Sequence, residues 1–233
     1  MFWDADADDY QDAHGGGLTA APLAWGAWRV PEAQLRVLGD VTGRDVLELG
    51  CGAAQWAIAL TAHGARVVGL DQSAAQLRHA HGGGVALVQA SGEAAPFASE
   101  SFDVVFCDHG AMSFCDPERS VPEVARLLRP GGLLAFCHST PLRIVCDDGV
   151  KTTRKLHQSY FEMRRLDWDG EGTIDFQIPY GEWIRLFRRH GLVIDDLVEL
   201  RPPKGATTTY TDYVSYKWAR RWPAEQIWKV RKP

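Results

Sequence analysis

The sequence predicts an α/β fold built on a mostly parallel β-sheet, and three observations lead to this prediction. Short apolar runs alternate with helical patterns along most of the chain, as in repeated strand–helix–strand units. One such run, Asp45–Leu49, breaks into Gly50-Cys51-Gly52 and then into a helical pattern that begins near Gln55. Hydrophobic residues make up 45% of the 233 residues, which is enough for the large core that this fold needs.

The strands of the predicted sheet follow one another in chain order at 45–49, 66–70, 85–89, 102–107, 132–138, 192–200 and 225–231. Helices are predicted at 54–63, 73–81, 117–128 and 180–190. Asp116-Pro117 supports the third helix, because aspartate is a frequent N-cap and proline fits the first helical turn. The alternation predicts right-handed crossovers between parallel strands.

The turn after the first strand predicts a ligand site. Gly50 and Gly52 let the backbone turn sharply and let a ligand approach without a Cβ in the way. The helix that follows points its free N–H groups at the same place. Asp71 ends the second strand, where a carboxylate would accept hydrogen bonds from a ribose diol. Glu48, just before the glycines, would repel phosphate but could orient a cationic, amino-acid-bearing ligand.

These segments resemble the class I S-adenosylmethionine-dependent methyltransferases. Four segments carry the resemblance: VLELGCG at 46–52, VVGLDQS at 67–73, GEAAPF through SFDVVF at 92–106, and ARLLRPGGLL at 125–134. The resemblance spans roughly residues 40 to 140 and, more weakly, the C-terminal strands. Ala54 departs from it, since many members have a third glycine there. The family's fold is a Rossmann-like three-layer sandwich with strand order 3-2-1-4-5-7-6 and an antiparallel seventh strand, and we expect the same here.

The resemblance implies S-adenosylmethionine as cofactor and S-adenosylhomocysteine as its product. It places the cofactor contacts at eleven positions: Tyr10, Glu48, Gly50, Cys51, Gly52, Asp71, Gln72, Gly92, Glu93, Ala94 and Asp108. Asp71 is expected to hold both ribose hydroxyls, and Tyr10 to touch the methionine end. Glu93 is expected to accept from the exocyclic amine of adenine, and the Ala94 N–H to donate to a ring nitrogen.

Catalysis is predicted at the end of the fourth strand, which faces the transferred methyl group in related enzymes. His109 could deprotonate a hydroxyl or amine nucleophile, or could only line the pocket of a nucleophile that needs no base. Asp108 could bind the methionine amine or orient His109. Weaker candidates for the pocket are His138, His157, Tyr160 and Tyr210. Because Asp108 stands alone as a carboxylate near these strand ends, the sequence predicts no metal site.

The chain is interpreted as a single methyltransferase domain, residues 1–233, with two additions. Residues 1–34 are rich in aromatic side chains and contain Gly15-Gly16-Gly17. They predict a lid hinged at the glycines or, alternatively, a cap that only covers the sheet. Their end is predicted as an entry helix from Val30 to Leu38. Residues 139–179 are predicted to form a substrate cap that ends in a short strand, and the long loop 201–223 should complete the pocket wall.

Charge and composition restrict the partners. The net charge is −5, and the basic residues near the C-terminus are scattered among tryptophans, so nucleic acid is not expected. No apolar run reaches the ~18–20 residues of a membrane span, so no membrane partner is expected. Five cysteines without a Cys-x-x-Cys pair suggest reduced thiols and a cytoplasmic protein. A monomer or a homodimer is expected.

The leading hypothesis is therefore methyl transfer to an oxygen, nitrogen or carbon of a small-molecule acceptor. Three alternatives stay open at this point. The chain could use the cofactor without transferring methyl, as a cyclase would, or could bind it without any catalysis. It could also be a nicotinamide dehydrogenase, although the Gly92-Glu93-Ala94 loop argues against that.

Overall fold

The computed structural model describes residues 2–82, 84–167, 172 and 174–233. A seven-stranded sheet forms its framework. In chain order its strands are β1 (Asp45–Leu49), β2 (Arg66–Asp71), β3 (Ala86–Gln89), β4 (Phe102–Asp108), β5 (Leu128–Ser139), β6 (Val193–Glu199) and β7 (Glu225–Arg231). Their order across the sheet is β3-β2-β1-β4-β5-β7-β6. Strands β1 to β5 pair in parallel, and β7 runs antiparallel to both β5 and β6. The predicted fold class and strand order are confirmed.

Both faces of the sheet are buried, because alternate residues of its central strands are apolar on either side. Leu47 and Leu49 of β1 pack on one face, in a core that includes Trp183 and Phe187 of the helix Tyr180–Arg189. Val46 packs on the other face with Trp56. These two cores make three layers, and they explain why four of the five residues of β1 are buried.

The helices surround this sheet. In the described residues they are Phe2–Ala5, Ala7–Tyr10, Gly16–Ala20, Glu32–Leu35, Gln55–Ala62, Ala74–Arg78, Ala111–Phe114, Pro117–Leu127, Pro141–Val145, Tyr180–Arg189 and Tyr216–Ala219, with a π-helical turn at Gln11–Gly15. Two short antiparallel ribbons join Ala24–Trp25 to Val30–Pro31 and Arg165–Asp167 to Ile174–Phe176. Within the described residues, no helix combines the length and the apolar character needed to cross a membrane.

The entry helix predicted from Val30 to Leu38 is wrong. Val30–Pro31 is the second strand of a ribbon, and only Glu32–Leu35 is helical. The carboxylate of Glu32 explains the early end, since it accepts the backbone N–H groups of Val37 and Leu38. Helical carbonyls would otherwise take these N–H groups. The short strand predicted at the end of the cap, at 173–178, is observed at Ile174–Phe176. Thr173, at its predicted start, and Trp168 of the cap lie outside the described residues.

Candidate active site

A cavity of about 510 Å³ lies at the carboxyl ends of the central strands and is the candidate site. Its volume is in the range of small-molecule sites, roughly 300–1,000 Å³. The strand order reverses between β1 and β4, and ligands of open α/β sheets bind at such a switch point. The N-terminal segment, the cap and the loop 201–223 all contribute to its walls.

The glycine turn after β1 is shaped by a close contact with the turn after β4. Gly50 has a φ of 80°, and a Cβ at this position would lie 2.3 Å from the Ala111 nitrogen. Only glycine fits such a left-handed position against another backbone. Gly52 has a φ of 53° and donates its N–H to Asp71 Oδ2 at 2.8 Å. Gly50, Cys51 and Gly52 all line the cavity.

Ala54 occupies the position where many members of the family have a third glycine. The predicted helix begins one residue later, at Gln55, and Ala54 is its N-cap with φ 57° and ψ 30°. This left-handed conformation costs an alanine roughly 1–2 kcal/mol. The turn is therefore strained next to the cavity, as is common where the surrounding structure serves a ligand.

Asp71 holds the ends of two turns together. Its Oδ2 accepts the Gly52 N–H, and its Oδ1 accepts the Ser73 N–H at 2.8 Å. Burial raises the pKa of Asp71 above its usual value, although these two hydrogen bonds act to lower it. Asp71 and Gln72 both line the cavity, and their contacts with the cofactor stay predictions.

Glu48 places a buried carboxyl group beside the same turn. Its Oε2 accepts the Ala57 N–H at 2.9 Å, within the first turn of the following helix. Burial raises the pKa of Glu48 well above its usual value, and the nearby negative charges of Asp108 and Asp71 raise it further. A positively charged ligand in the cavity would relieve this repulsion.

Asp108, at the end of β4, holds the N-terminal segment. Its Oδ1 accepts the Gly26 N–H at 2.9 Å, and Arg29 Nη1 lies 3.6 Å from its Oδ2. Burial raises the pKa of Asp108. Of the two predicted roles, orienting His109 would need a hydrogen bond between the two side chains, and none occurs among the described contacts.

His109 follows directly and has a left-handed backbone, with a φ of 52°. Its Nε2 lies 2.7 Å from Oε1 of Glu225, the first residue of β7. The side chain of Glu225 is only 2% exposed, and the same oxygen accepts the Ala27 N–H at 2.7 Å. Burial alone would lower the pKa of His109. The hydrogen bond to Glu225 and the charges of Glu225, Asp108 and Asp175 nevertheless raise it above its usual value.

The N-terminal segment lies against both sides of the cavity. On one side the Tyr10 and Tyr210 hydroxyls are 2.7 Å apart, and the His14 ring stacks on Tyr210 with centroids 4.1 Å apart. On the other side Trp3 packs edge-on against Phe114 at 4.7 Å. Tyr10, predicted to touch the methionine end, lines the cavity, as does Tyr210.

Two predicted cofactor residues lie elsewhere. The Glu93 carboxylate accepts the Asp116 N–H at 3.0 Å and pairs with Arg119 at 3.0 Å, so it stabilises the start of the helix Pro117–Leu127. Ala94 is exposed. Gly92 is the residue of this loop that lines the cavity among those described. The described contacts thus bring together nine of the eleven predicted cofactor positions, and Glu93 and Ala94 are the exceptions.

Some of the weaker pocket candidates line the cavity, and others do not. His138 lines the cavity and is buried, and burial lowers its pKa to about 3. Its Nε2 accepts from the side-chain amide of Gln226 at 3.0 Å. Tyr160 and His157 are not among the described lining residues; the Tyr160 hydroxyl accepts the Tyr180 N–H at 3.1 Å. His138 is thus neutral at physiological pH, which suits a hydrogen-bonding role better than that of a base.

One group of potential metal ligands occurs in the described part of the chain. Donor atoms of Asp108, His109 and Cys137 lie within 4.8 Å of one another. Arg29 already lies beside Asp108, which disfavours a further cation. Burial also raises the pKa of the Cys137 thiol well above its usual value, whereas a metal ligand must be a thiolate. We assign no metal role to this group.

Three buried polar atoms of residues that line the cavity have no hydrogen-bond partner among the described residues. They are the Ser113 hydroxyl oxygen, the Trp56 indole nitrogen and the Arg29 Nε. A buried polar group without a partner costs roughly 1–3 kcal/mol. A polar ligand in the cavity could satisfy such atoms, so these residues fit a bound cofactor.

The comparisons with known proteins agree with this geometry. Residues 47–136 match a family model described as "Methyltransferase domain". Over 120 residues the chain is 36% identical to a demethylmenaquinone methyltransferase of Clavibacter sepedonicus, covering 49% of this chain and 48% of that protein. The chain is thus similar to methyltransferases over its central region. It spans about half the length of the curated relatives it matches first.

Solved structures of S-adenosylmethionine-dependent methyltransferases share the fold. An S-adenosylmethionine-dependent methyltransferase from Mesorhizobium loti is 23% identical, with a TM-score of 0.70, covering 85% of this chain and 95% of that one. A 1,6-didemethyltoxoflavin-N1-methyltransferase from Burkholderia thailandensis, solved with its substrate and S-adenosylhomocysteine, is 16% identical with a TM-score of 0.60. That likeness covers 98% of this chain and 84% of the other. The similarity to these methyltransferases supports S-adenosylmethionine as the cofactor.

Sequence reasoning missed several residues of the site. Glu225 and Arg29 bond to the two predicted catalytic residues, and Ser113 and Trp56 supply two of the unpaired polar atoms. No feature of the sequence marks Glu225 as a site residue, because an acidic residue at the start of a strand is common. Arg29 lies 79 positions before Asp108. It belongs to residues 1–34, for which the sequence predicts a lid or a cap but does not single out this residue.

Proposed function

We propose that this protein transfers a methyl group from S-adenosylmethionine to a small-molecule acceptor, releasing S-adenosylhomocysteine. One observation carries the proposal: a single cavity is lined both by the ribose-type carboxylate of Asp71 and by His109, whose ring is hydrogen-bonded to the buried Glu225. The fold alone does not decide the reaction, because one fold serves many activities.

Charge supports a cationic cofactor in this cavity. Seven carboxylate side chains line its described part, against two arginines, Arg29 and Arg143. Such a wall repels the phosphates of a nicotinamide dinucleotide and attracts a ligand that carries a sulfonium and an amine. When bound, S-adenosylmethionine supplies an activated methyl group on a positively charged sulfur. This argument favours the methyltransferase over the dehydrogenase.

The residues divide the binding work by chemistry. Asp71 would accept from the ribose hydroxyls, since each of its oxygens has a second lone pair beyond its bond to the backbone. Glu48 and Asp108 would attract the amine of the amino-acid end, and Arg29 would pair with its carboxylate. Ser113 and Trp56 would give their unpaired polar atoms to the same ligand.

The acceptor would occupy the part of the cavity under the cap. Tyr210, Tyr213 and Phe176 form aromatic walls there, and the Arg143 guanidinium lies 4.4 Å above the Tyr213 ring. Aromatic walls exclude water and orient a flat organic molecule. His109 would take a proton from the attacking hydroxyl or amine. The demethylmenaquinone methyltransferases match over only part of their length, so their substrate is not carried over.

The remaining expectations, about binding partners, oligomeric state and cellular location, are part of this proposal. The five cysteines are free and buried, which fits the reducing cytoplasm. A single domain, a monomer or homodimer, and the absence of nucleic-acid binding stay predictions.

Two measurements test the proposed function. Calorimetry should show binding of S-adenosylhomocysteine and none of NAD. Labelled methyl groups should then move from the cofactor into one acceptor of a metabolite library, read by mass spectrometry. Tight binding without any methyl transfer would instead leave a cyclase-like enzyme or a binding protein. Failure to bind the cofactor at all would reject the assignment.

A further inference from the structure

We propose that Glu225 positions His109 and determines that Nδ1 is the ring nitrogen that takes the proton from the acceptor. The inference rests on the proposed function, because it needs a methyl acceptor that loses a proton. It concerns a residue 116 positions away from His109, on the last strand of the sheet.

The hydrogen bonds around Glu225 fix the direction of the bond to His109. Its Oε1 accepts the Ala27 N–H at 2.7 Å, and a peptide N–H can only donate. A carboxylate oxygen carries no proton, so the same Oε1 is also the acceptor toward His109 Nε2, at 2.7 Å. The Nε2 nitrogen must carry the proton, which leaves the lone pair of the neutral ring on Nδ1.

Nδ1 is the nitrogen that remains for a ligand. The described residues offer it no hydrogen bond, and His109 lines the cavity with 30% of its side chain exposed. The backbone holds the ring in place, since the His109 N–H donates to the Cys137 carbonyl at 3.1 Å. A left-handed φ of 52° at a non-glycine residue is the kind of strain that persists at functional sites.

Charges from several elements act on the ring. Glu225 faces it from β7, Asp108 precedes it on β4, and Asp175 approaches from the ribbon strand Ile174–Phe176. The Tyr213 ring stands edge-on at 5.9 Å, neutral His138 lies nearby, and Arg29 partly offsets Asp108. The three acids together favour the imidazolium that forms when the ring accepts a proton, in spite of its burial.

The proton balance is simple. The acceptor gains the methyl group and loses one proton from its oxygen or nitrogen. Nδ1 takes that proton, and the imidazolium returns it to water after the product leaves. Glu225 keeps the Nε2 proton throughout, so it acts through the ring and does not touch the acceptor.

A purely structural role is the rival explanation. Glu225 also supports the turn at Gly26, where a Cβ would lie 2.6 Å from its Oε1. The substitution Glu225→Gln separates the two roles. Its amide oxygen can still accept both the Ala27 N–H and the proton on His109 Nε2 from the same position, but the side chain has no charge to raise the pKa of His109.

The first experiment needs no catalysis. Imidazole ¹⁵N NMR of the wild-type protein, assigned with His109→Asn, should show neutral His109 with its proton on Nε2. In Glu225→Gln the pKa of His109 should fall. The control Glu199→Gln removes an exposed acid from the neighbouring strand β6 and should leave that pKa unchanged. A proton on Nδ1 in the wild type overturns the proposal even if Glu225→Gln does not fold.

The second experiment measures turnover once an acceptor is known. We expect Glu225→Gln to lower kcat about 10- to 100-fold with KM within about threefold, since general bases contribute ~10²–10⁴-fold in rate. The acid limb of its pH profile should move to lower pH. Wild-type kcat and pH profile in Glu225→Gln would show that Glu225 only supports the turn. If the wild type itself transfers no methyl group, the proposed function fails, and the NMR result still decides the role of Glu225.

Discussion

The cavity has two halves that are held together in different ways. We call the part around the glycine turn and Asp71 the cofactor half, and the part around His109 and Tyr210 the acceptor half. In the cofactor half the decisive bonds are short-range: Gly52 to Asp71 spans 19 residues, and Ala57 to Glu48 spans nine. In the acceptor half they are long-range. Tyr10 and Tyr210 are 200 residues apart, and His109 and Glu225 are 116 apart. The first half is formed by one strand–turn–helix unit and its neighbour, while the second exists only once the whole chain has folded.

This difference has a consequence for motion and for substitution. Bonds within one βα unit form and break with that unit, whereas contacts between distant segments can open locally without unfolding the sheet. We therefore expect substitutions in the cofactor half to change affinity. Substitutions in the acceptor half should change turnover.

The largest effect should come from the acceptor half. His109→Ala should lower the rate of the chemical step by ~10²–10⁴-fold and leave the affinity for S-adenosylhomocysteine nearly intact. The wild-type rate should rise with pH, because the ring must be neutral to accept a proton. The midpoint should lie above the usual histidine range, since the pKa of His109 is raised. A His109→Ala protein that keeps most of its single-turnover rate at neutral pH would make His109 a wall of the pocket.

In the cofactor half, Asp71→Ala should weaken S-adenosylhomocysteine binding about tenfold or more, because charge-assisted hydrogen bonds contribute roughly 1.5–3 kcal/mol. Calorimetry measures the change, and circular dichroism checks the fold. The matched control is Asp196→Ala, which removes an exposed aspartate on β6 and should bind as the wild type does. Equal affinities in the two variants would remove Asp71 from the site.

Removal of residues 1–17 tests whether the N-terminal segment is a lid. Turnover should fall more than stability, since the truncation deletes the Tyr10–Tyr210 contact but leaves the sheet intact. In the full chain, protease should cut near Gly15-Gly16-Gly17 when the protein is free and much more slowly with S-adenosylhomocysteine bound. Cutting at the same rate in both states would support a cap that does not open.

The smallest effect is expected for Glu93. The sequence predicted a modest loss of affinity in Glu93→Gln, through contact with the adenine amine. The observed bonds to Asp116 and Arg119 instead predict an affinity within about twofold and a loss of about 0.5–1.5 kcal/mol in the free energy of unfolding. Thermal unfolding and calorimetry on the same variant distinguish the two outcomes. A large drop in affinity would restore the adenine contact.

The sequence by itself determined the sheet and the cofactor half. The strand β7 was predicted at the bounds that the structure shows, 225–231, and the resemblance supplied the order in which the strands pair. Gly50, Gly52 and Asp71 were predictable because a glycine turn and a strand-end acid follow from local geometry. The adenine contact of Glu93 stays a prediction, and the sequence did not predict that this acid also stabilises a helix start 23 residues away.

Only the tertiary structure decided the acceptor half. Strand β7 pairs antiparallel with β5 so that Glu225 stands opposite Ser139, while Asp108 of β4 stands opposite Cys137. This register, and not any spacing along the chain, brings the Glu225 carboxylate to His109. A one-residue shift of β7 would turn Glu225 to the other face of the sheet. The nitrogen that is free to act in His109 is therefore a property of the assembled sheet, because the hydrogen bond that selects it joins two strands that are distant in sequence.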